Sequence, residues 1–583
     1  MHLFLTSVLP FLGHDHASAA AFLTCRCRNF HSSIIPEFLS DEDRVGEFCD
    51  ARQRNKMSAQ ENTQYEMLFN LFVQTPHMQF SPSLVLHDEC SPESIITPLL
   101  ATKYFTRSLQ RCRFCWEAPD NKILHALSKV QSLTKLDLRS CNVQNTHLET
   151  IINSFPSLEM LIIENARHLK ILPSSEPSLA ITSPPPSATK TLRILKVESI
   201  DPSVVAQFVC HFSHLRKLEL DGWTSSHPLD LVPLCSSAPR LKDVSLKNFT
   251  LENTESLKNL VHLSSLEFDD CRMPDSLAFL TQENSLAELR TLTIHNRSNL
   301  STPSFACLSQ APKLQSLTIA EINFNNDCLQ FLDKMVHLRK LDLSMCEIVG
   351  DSRSLKDLMR NLVQLEELSL AGCRIGNQGA LTGALYSSLS RLRVLNLSWC
   401  HLVDDDLEGI GALKKTIEEL YLDDNGWLTN KALIHFKTLV KLKCLILRRC
   451  GRITDLSPLA KCSVSLETLD VSDCSNLTDD SFRVFSAEPD SFPSLRVLRL
   501  SGCNNLTENV FGHLSKNNHL VCRLKKLCVM SSVVASSPYA QTNICQLQGL
   551  RVLSGIRSSA LQRDLRDYFL MNLKNVEHVE HAI

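Results

Sequence analysis

Three stretches of the chain repeat one nine-residue phrase, with leucine at the first, fourth and sixth places and cysteine at the ninth: Leu338–Cys346, Leu365–Cys373 and Leu392–Cys400. Their starts lie 27 residues apart. A chain held to such a period adds core one unit at a time, because each unit is too small to bury its apolar face alone and must stack on its neighbours. Alternate leucines suit a short strand with one face buried, and the small ninth residue suits a tight turn. The phrase starts at Leu133, Leu158, Leu192, Leu215, Leu241, Leu263, Leu289, Leu314, Leu338, Leu365, Leu392, Ile417, Leu442, Leu466, Leu495 and Leu524, with a truncated last copy at Leu550. Spacings run from 22 to 34 residues.

Phrase and period together are those of a leucine-rich repeat. Between phrases, apolar residues recur at helical spacing, as at Leu407, Ile410 and Leu413 or Leu433, Phe436 and Leu439. The expected fold is therefore an α/β leucine-rich-repeat solenoid over 131–557. It would be a right-handed arc of about 16–17 repeats, strands on the concave face and helices outside, closed by a helical N-terminal cap (60–130) and a capping helix (558–583).

Cysteine stands ninth in Cys141, Cys271, Cys346, Cys373, Cys400, Cys450, Cys474 and Cys503, and Asn425 takes the place once. A thiol is small, nearly apolar and a weak donor, so a ladder of them reads as packing against turn carbonyls. Several units continue with a leucine or isoleucine and a pair of threonine and a carboxylate, as in Ile453-Thr454-Asp455, Leu477-Thr478-Asp479 and Leu506-Thr507-Glu508. Such pairs suit a helix N-terminus. This extended phrase resembles the cysteine-containing repeats of the F-box/LRR proteins and their box-less relatives, over 133–557 and most clearly over 338–515.

The resemblance implies a non-enzymatic substrate receptor or adaptor of an SCF-type cullin-RING ubiquitin ligase, with a Skp-type adaptor and a cullin as partners. A degenerate F-box would lie at 90–118, with Pro92, Ile95, Leu99, Leu109 and Trp116 as adaptor-binding residues. The segment departs from the family pattern. Ser91 stands for the opening leucine, Pro98 interrupts the first helix, and Cys115 abuts Trp116. An ordinary capping segment or irregular early repeats is the alternative. Two other functions stay open: a repeat scaffold with no ubiquitin link, and a secreted recognition protein.

Composition narrows the field. A formal charge of −3 gives no overall basic field for nucleic acid or anionic lipid. With 16 glycines there is no phosphate-cradling glycine loop. Of twenty-three cysteines, many recur at one fixed place of the repeat, a packing and not a pairing pattern that points to a reduced compartment, cytoplasmic and/or nuclear. Cys112-x-x-Cys115 lacks the second pair a zinc site needs. No Ser/His/Asp, Cys/His or paired-acid set recurs in register, so neither catalysis nor a cofactor or metal is expected.

Residues 1–59 read as a disordered or targeting-like extension. Leu3–Leu12 followed by Ala17-Ser18-Ala19 allows a secretory signal, Arg26 and Arg28 a transit peptide, and Met57 an ordinary start. The proline- and serine-rich stretch 173–190 is an exposed loop with Ser183-Pro184 as a candidate phosphorylation site.

In the phrase, the third, fifth and seventh residues would face the concave side. Units starting at 215, 241 and 263 supply Glu219, Asp221, Asp243, Glu267 and Asp269, diluted by Lys217 and Lys247. Units from 314 to 392 supply a floor of Ala320, Ser344, Ala371 and Ser398. Trp399, Tyr421 and Asp423 lie beside it, and Arg448, Arg449 and Arg499 follow. The expected partner-binding set is Ser344, Ala371, Ser398, Trp399, Tyr421, Asp423, Arg448 and Arg499. It would hold a protein, with no nucleic acid or membrane, and the chain would be a monomer within a complex.

Overall fold

A computed structural model describes residues 26–27, 78–79, 83–87, 109–115, 121–139, 141–170, 191–222, 227–272, 288–295, 305, 308–309, 311–324, 331–348, 360–373, 375, 383–461, 464–529, 537–556, 568–573, 575–576 and 578–581. The chain forms two compact units, Met1–Asp275 and Ser276–Ile583. Both are α/β ladders of parallel strands, one strand per repeat, as the leucine phrase requires.

In the N-terminal unit the parallel strands are Ser83–His87, Arg111–Cys115, Lys135–Leu138, Met160–Ile163, Ile194–Ile200, Lys217–Gly222, Asp243–Lys247 and Ser265–Asp269. Each is paired in register with the next. Helices Asn121–Leu127, Asn145–Ser154, Pro202–Val209 and Leu231–Ser237 connect them. Asp201 and Asp230 start the last two by accepting from the amides of Ser203 (2.9 Å) and Val232 (3.0 Å), which satisfies donors the helix cannot.

In the C-terminal unit the strands are Thr291–His295, Ser316–Ala320, Lys340–Asp342, Glu367–Ser369, Val394–Asn396, Glu419–Tyr421, Cys444–Ile446, Thr468–Asp470, Val497–Arg499, Lys526–Cys528, Val552–Ile556 and His578–His581. They too run parallel, each paired with the next. The helical stretch around Leu407 and Leu413 is two short 3-10 turns, Asp404–Leu407 and Ile410–Leu413, split by Gly409 at φ 84°. Leu433 lies on the α-helix Asn430–His435 and Phe436 on the 3-10 turn that follows, and both are fully buried with Leu439. No helix among the described residues is long and apolar enough to cross a membrane.

Two expectations change. The helical cap over 60–130 contains two more strands of the ladder. Leu84 pairs with Cys112 and Leu86 with Phe114, and Cys112 in turn pairs with Leu136. Cys112 and Phe114 occupy the buried places that leucine takes elsewhere, so the phrase really begins at Leu109, itself fully buried. Segment 111–115 is therefore strand where an F-box would close in helix. Pro92, Ile95, Leu99 and Trp116 lie outside the described residues, as do the loop 173–190 and the signal-like stretch of residues 3–19. The second change is at the far end. The capping helix expected over 558–583 gives way to a short helical stretch at 568–572 and a final strand, His578–His581, parallel to Val552–Ile556.

Candidate functional site

Each repeat spends its leucines on the core and leaves the residues between them to solvent. In the C-terminal unit the first, fourth and sixth residues of the phrase are buried from Leu338 through Leu500. The ninth is buried too, and it ties the repeats together. The thiols of Cys346, Cys373, Cys400, Cys450, Cys474 and Cys503 each donate to the carbonyl of the sixth residue one repeat earlier, at 2.9–3.3 Å. Burial pushes the Cys346, Cys400 and Cys450 thiols up to about 12 and Cys503 to about 11, so they stay protonated donors and poor nucleophiles.

Asn425 takes the thiol's place and does more. Its Nδ2 donates to the carbonyls of Leu397 (2.9 Å) and Leu422 (3.0 Å), and its Oδ1 accepts the amide of Leu402 (3.0 Å). One turn further, the Asp404 carboxylate accepts both the amide (2.8 Å) and hydroxyl (2.6 Å) of Thr429 in the next repeat. Asp479 holds Thr507 in the same way. The carboxylates thus clamp one repeat to the next as well as starting turns.

The eighth residue carries a feature that its residue types do not announce. Glu321, Met345, Gly372, Trp399, Asp424, Arg449, Asp473 and Gly502 all have φ between 52° and 75°. In this left-handed conformation the chain leaves the sheet while the amide still reaches the neighbour. The amide of Met345 bonds the carbonyl of Ala371 (2.6 Å), Gly372 that of Ser398 (2.8 Å), and Trp399 that of Asp423 (2.8 Å). Such backbone costs an L-residue about 1–2 kcal/mol. Glycine avoids the cost at 372, where an added Cβ would also sit 2.2 Å from the Met345 sulfur.

The eight expected partner-binding residues fall into three groups. Ser344, Ala371 and Ser398 form a recessed floor; Ser398 is 7% exposed, and Ser344 hydrogen-bonds Asp342 and the Ser369 hydroxyl (2.8 Å). Tyr421, Asp423 and Arg499 are engaged internally. The Tyr421 hydroxyl donates to Glu419 (2.7 Å), Asp423 accepts from the Ser398 hydroxyl (3.1 Å) and the Arg448 amide (3.2 Å), and Arg499 faces Asp470 at 3.5 Å. Burial raises the Asp423 carboxyl above its usual range. Trp399 and Arg448 reach solvent, with Trp399 54% exposed.

Three exposed groups were not in the expected set. Met345 is 59% exposed, in the eighth place two repeats before Trp399. Trp427 is 53% exposed with the Arg452 guanidinium stacked 4.0 Å from its ring. No group of His, Cys, Asp and Glu side chains among the described residues is arranged to hold a metal.

A family model described as Leucine Rich repeat matches residues 131–151, 334–352 and 364–382. Among solved structures the chain is similar to a TLR13–ssRNA13 complex, at 17% identity, covering 86% of this chain and 78% of that chain with a TM-score of 0.48. It is also similar to an internalin (inlF) from Listeria monocytogenes str. 4b F2365, at 16% identity, covering 69% of this chain and 92% of that chain with a TM-score of 0.35. No curated protein matches the sequence.

Proposed function

We propose that this leucine-rich-repeat protein is a non-enzymatic interaction module that captures a protein segment on the open face of its C-terminal unit. The observation that carries the reading is Trp399. A large aromatic ring is held more than half exposed on a left-handed backbone, beside a floor of small side chains. The left-handed backbone is common to the eighth place of the repeats; what sets Trp399 apart is the indole left exposed there, and aromatic side chains are the usual anchors of interfaces. A protein partner is favoured over nucleic acid because nearly every cation in the phrases of this face is already matched by a carboxylate.

The finer reading is a substrate receptor or adaptor of an SCF-type cullin-RING ligase. Its support is the resemblance of the cysteine-containing repeats over 338–515. The observation favouring the alternative, a scaffold with no ubiquitin link, is the strand Arg111–Cys115, which occupies the closing part of the would-be box. The free thiols at packing positions support a reducing compartment, cytoplasmic and/or nuclear, over the secreted alternative.

Affinity purification of the full-length chain from proteasome-inhibited cells, read by mass spectrometry, separates these readings. A protein retained by the wild type and lost from Trp399→Ala is the expected result, and capture indifferent to Trp399 sinks the face. A cullin and a Skp-type adaptor among the retained proteins selects the ligase reading; their absence selects the scaffold.

A further inference from the structure

We propose that the captured segment is extended and acidic, with one apolar side chain seated against Met345 and Trp399 and a carboxylate meeting the Arg448 guanidinium. This rests on the reading of the face as a protein-capture surface and adds the chemistry of what it captures.

The seat is built on consecutive rungs. The strands Lys340–Asp342, Glu367–Ser369 and Val394–Asn396 pair side by side, so Met345, Gly372 and Trp399 follow one another along the eighth-residue column. The Met345 sulfur occupies the space where a side chain at 372 would begin, so the thioether lies across the glycine rung. Met345 and Trp399 are both more than half exposed, and Ala371 lies alongside Gly372. A thioether laid across the glycine rung, with an exposed indole one rung on, forms a shallow apolar seat. Methionine adapts its shape to what it covers, and the indole offers a rigid wall.

Charge decides the other half. On this face and its rim Lys340 pairs with Glu367 (2.7 Å), Arg339 with Glu366 (3.3 Å), Arg393 and Lys443 with Glu418 (2.9 and 2.7 Å), Arg449 with Asp424 (3.4 Å), and Arg499 with Asp470 (3.5 Å). Arg448 is exposed and makes no ion pair among the described residues. The Asp423 carboxylate is bonded to the Ser398 hydroxyl and the Arg448 backbone amide, and it feels the Arg448 charge without pairing with it. A planar guanidinium left open beside an apolar seat matches a carboxylate. The two subsites are three strand spacings apart by register, about 14 Å, which an extended chain crosses in about four residues.

The test pans a library of random 12-residue peptides on phage against the immobilised full-length chain. Selected sequences should share a bulky apolar residue and an Asp or Glu about four places from it. The synthesised consensus peptide should bind Arg448→Gln about tenfold more weakly than wild type. Panning on Arg448→Glu should replace the acid by Lys or Arg, and Met345→Ser with Trp399→Ser should remove the apolar requirement. All four substitutions are at exposed side chains. Selection of basic sequences by the wild type overturns the proposal and points to Asp423. Retention of single-stranded RNA with no acidic peptide also overturns it, as does a consensus unchanged in Arg448→Glu. If the acidic preference fails while Trp399→Ala still loses its protein partner, only the partner chemistry falls. If Trp399→Ala changes nothing in either experiment, the capture surface falls with it.

Discussion

The two units place charge differently on the same kind of ladder. In the N-terminal unit, opposite charges stand on the open face in neighbouring repeats and satisfy one another. Glu219 lies between Lys196 (2.5 Å) and Lys217 (2.8 Å), Lys247 lies between Glu267 (3.4 Å) and Asp269 (3.3 Å), and Asn248 donates to Asp221 (2.7 Å). The acidic zone legible in the sequence is therefore largely neutralised in place. In the C-terminal unit a row of pairs stands at the second residue of the phrase, at the strand entry, where Arg339, Glu366, Arg393, Glu418 and Lys443 alternate along the rungs, and Lys340–Glu367 and Asp470–Arg499 stay on the face to either side of its middle. That leaves the middle of the face to Ser344, Ala371 and Ser398. Cross-rung pairs make a surface self-sufficient; where they stand at the rim and the flanks, the middle can accept something else.

The ninth residue sharpens the same contrast. In the N-terminal unit it varies among Cys141, Ala166, Ile200, Phe249 and Cys271, all buried. From Cys346 to Cys503 it is a hydrogen-bonding ladder broken once, by Asn425. The largest expected effect is there. Asn425→Ala removes four bonds from a fully buried site and should cost about 3 kcal/mol, while Asn425→Cys should recover most of it. Hydrogen exchange of the amides in 392–450 would read this locally. If alanine is tolerated as well as cysteine, the thiol ladder is mere filling and the contrast with the N-terminal unit disappears.

A smaller effect of opposite sign is expected at the anchor. Trp399→Gly relieves the left-handed backbone and should raise stability by roughly 1 kcal/mol, read as a higher urea midpoint, although a large side chain is lost. A fall in stability would mean that the indole packs for folding. The smallest effect concerns the rim. Hydrogen bonds from Arg393 and Lys443 hold the Glu418 carboxyl down at about 2. Because the folded-state value is depressed, its contribution is present above the unfolded pKa of about 4.3 and is lost as pH falls toward 2. Glu418→Gln should therefore cost about 0.5 kcal/mol at pH 7 and converge with wild type on acidification. A gap that persists at pH 2 would assign the residue's worth to packing.

The period, the strands and the thiol ladder were legible because leucine and cysteine recur at fixed places. The two early rungs were not, because Cys112 and Phe114 stand where leucine was sought, and the last strand was not, because His578–His581 carries no leucine at all. The left-handed eighth residue escaped for a different reason. Methionine, tryptophan, arginine and aspartate fill it as readily as glycine, so no residue type marks the conformation. Most of the ion pairs join residues twenty or more apart, which local spacing cannot show. Trp399 and Arg448 were legible as candidates; that Tyr421, Asp423 and Arg499 are internally engaged needed the register.

The thiol-to-carbonyl ladder has a mechanical consequence. Its bonds reach only from one repeat to the one before it, so tension on the ends of the C-terminal unit has no long-range tie to load. Peeling would proceed repeat by repeat, each releasing roughly 90 Å of chain, and would pause where Asn425 and the Asp404 clamp bind two rungs at once.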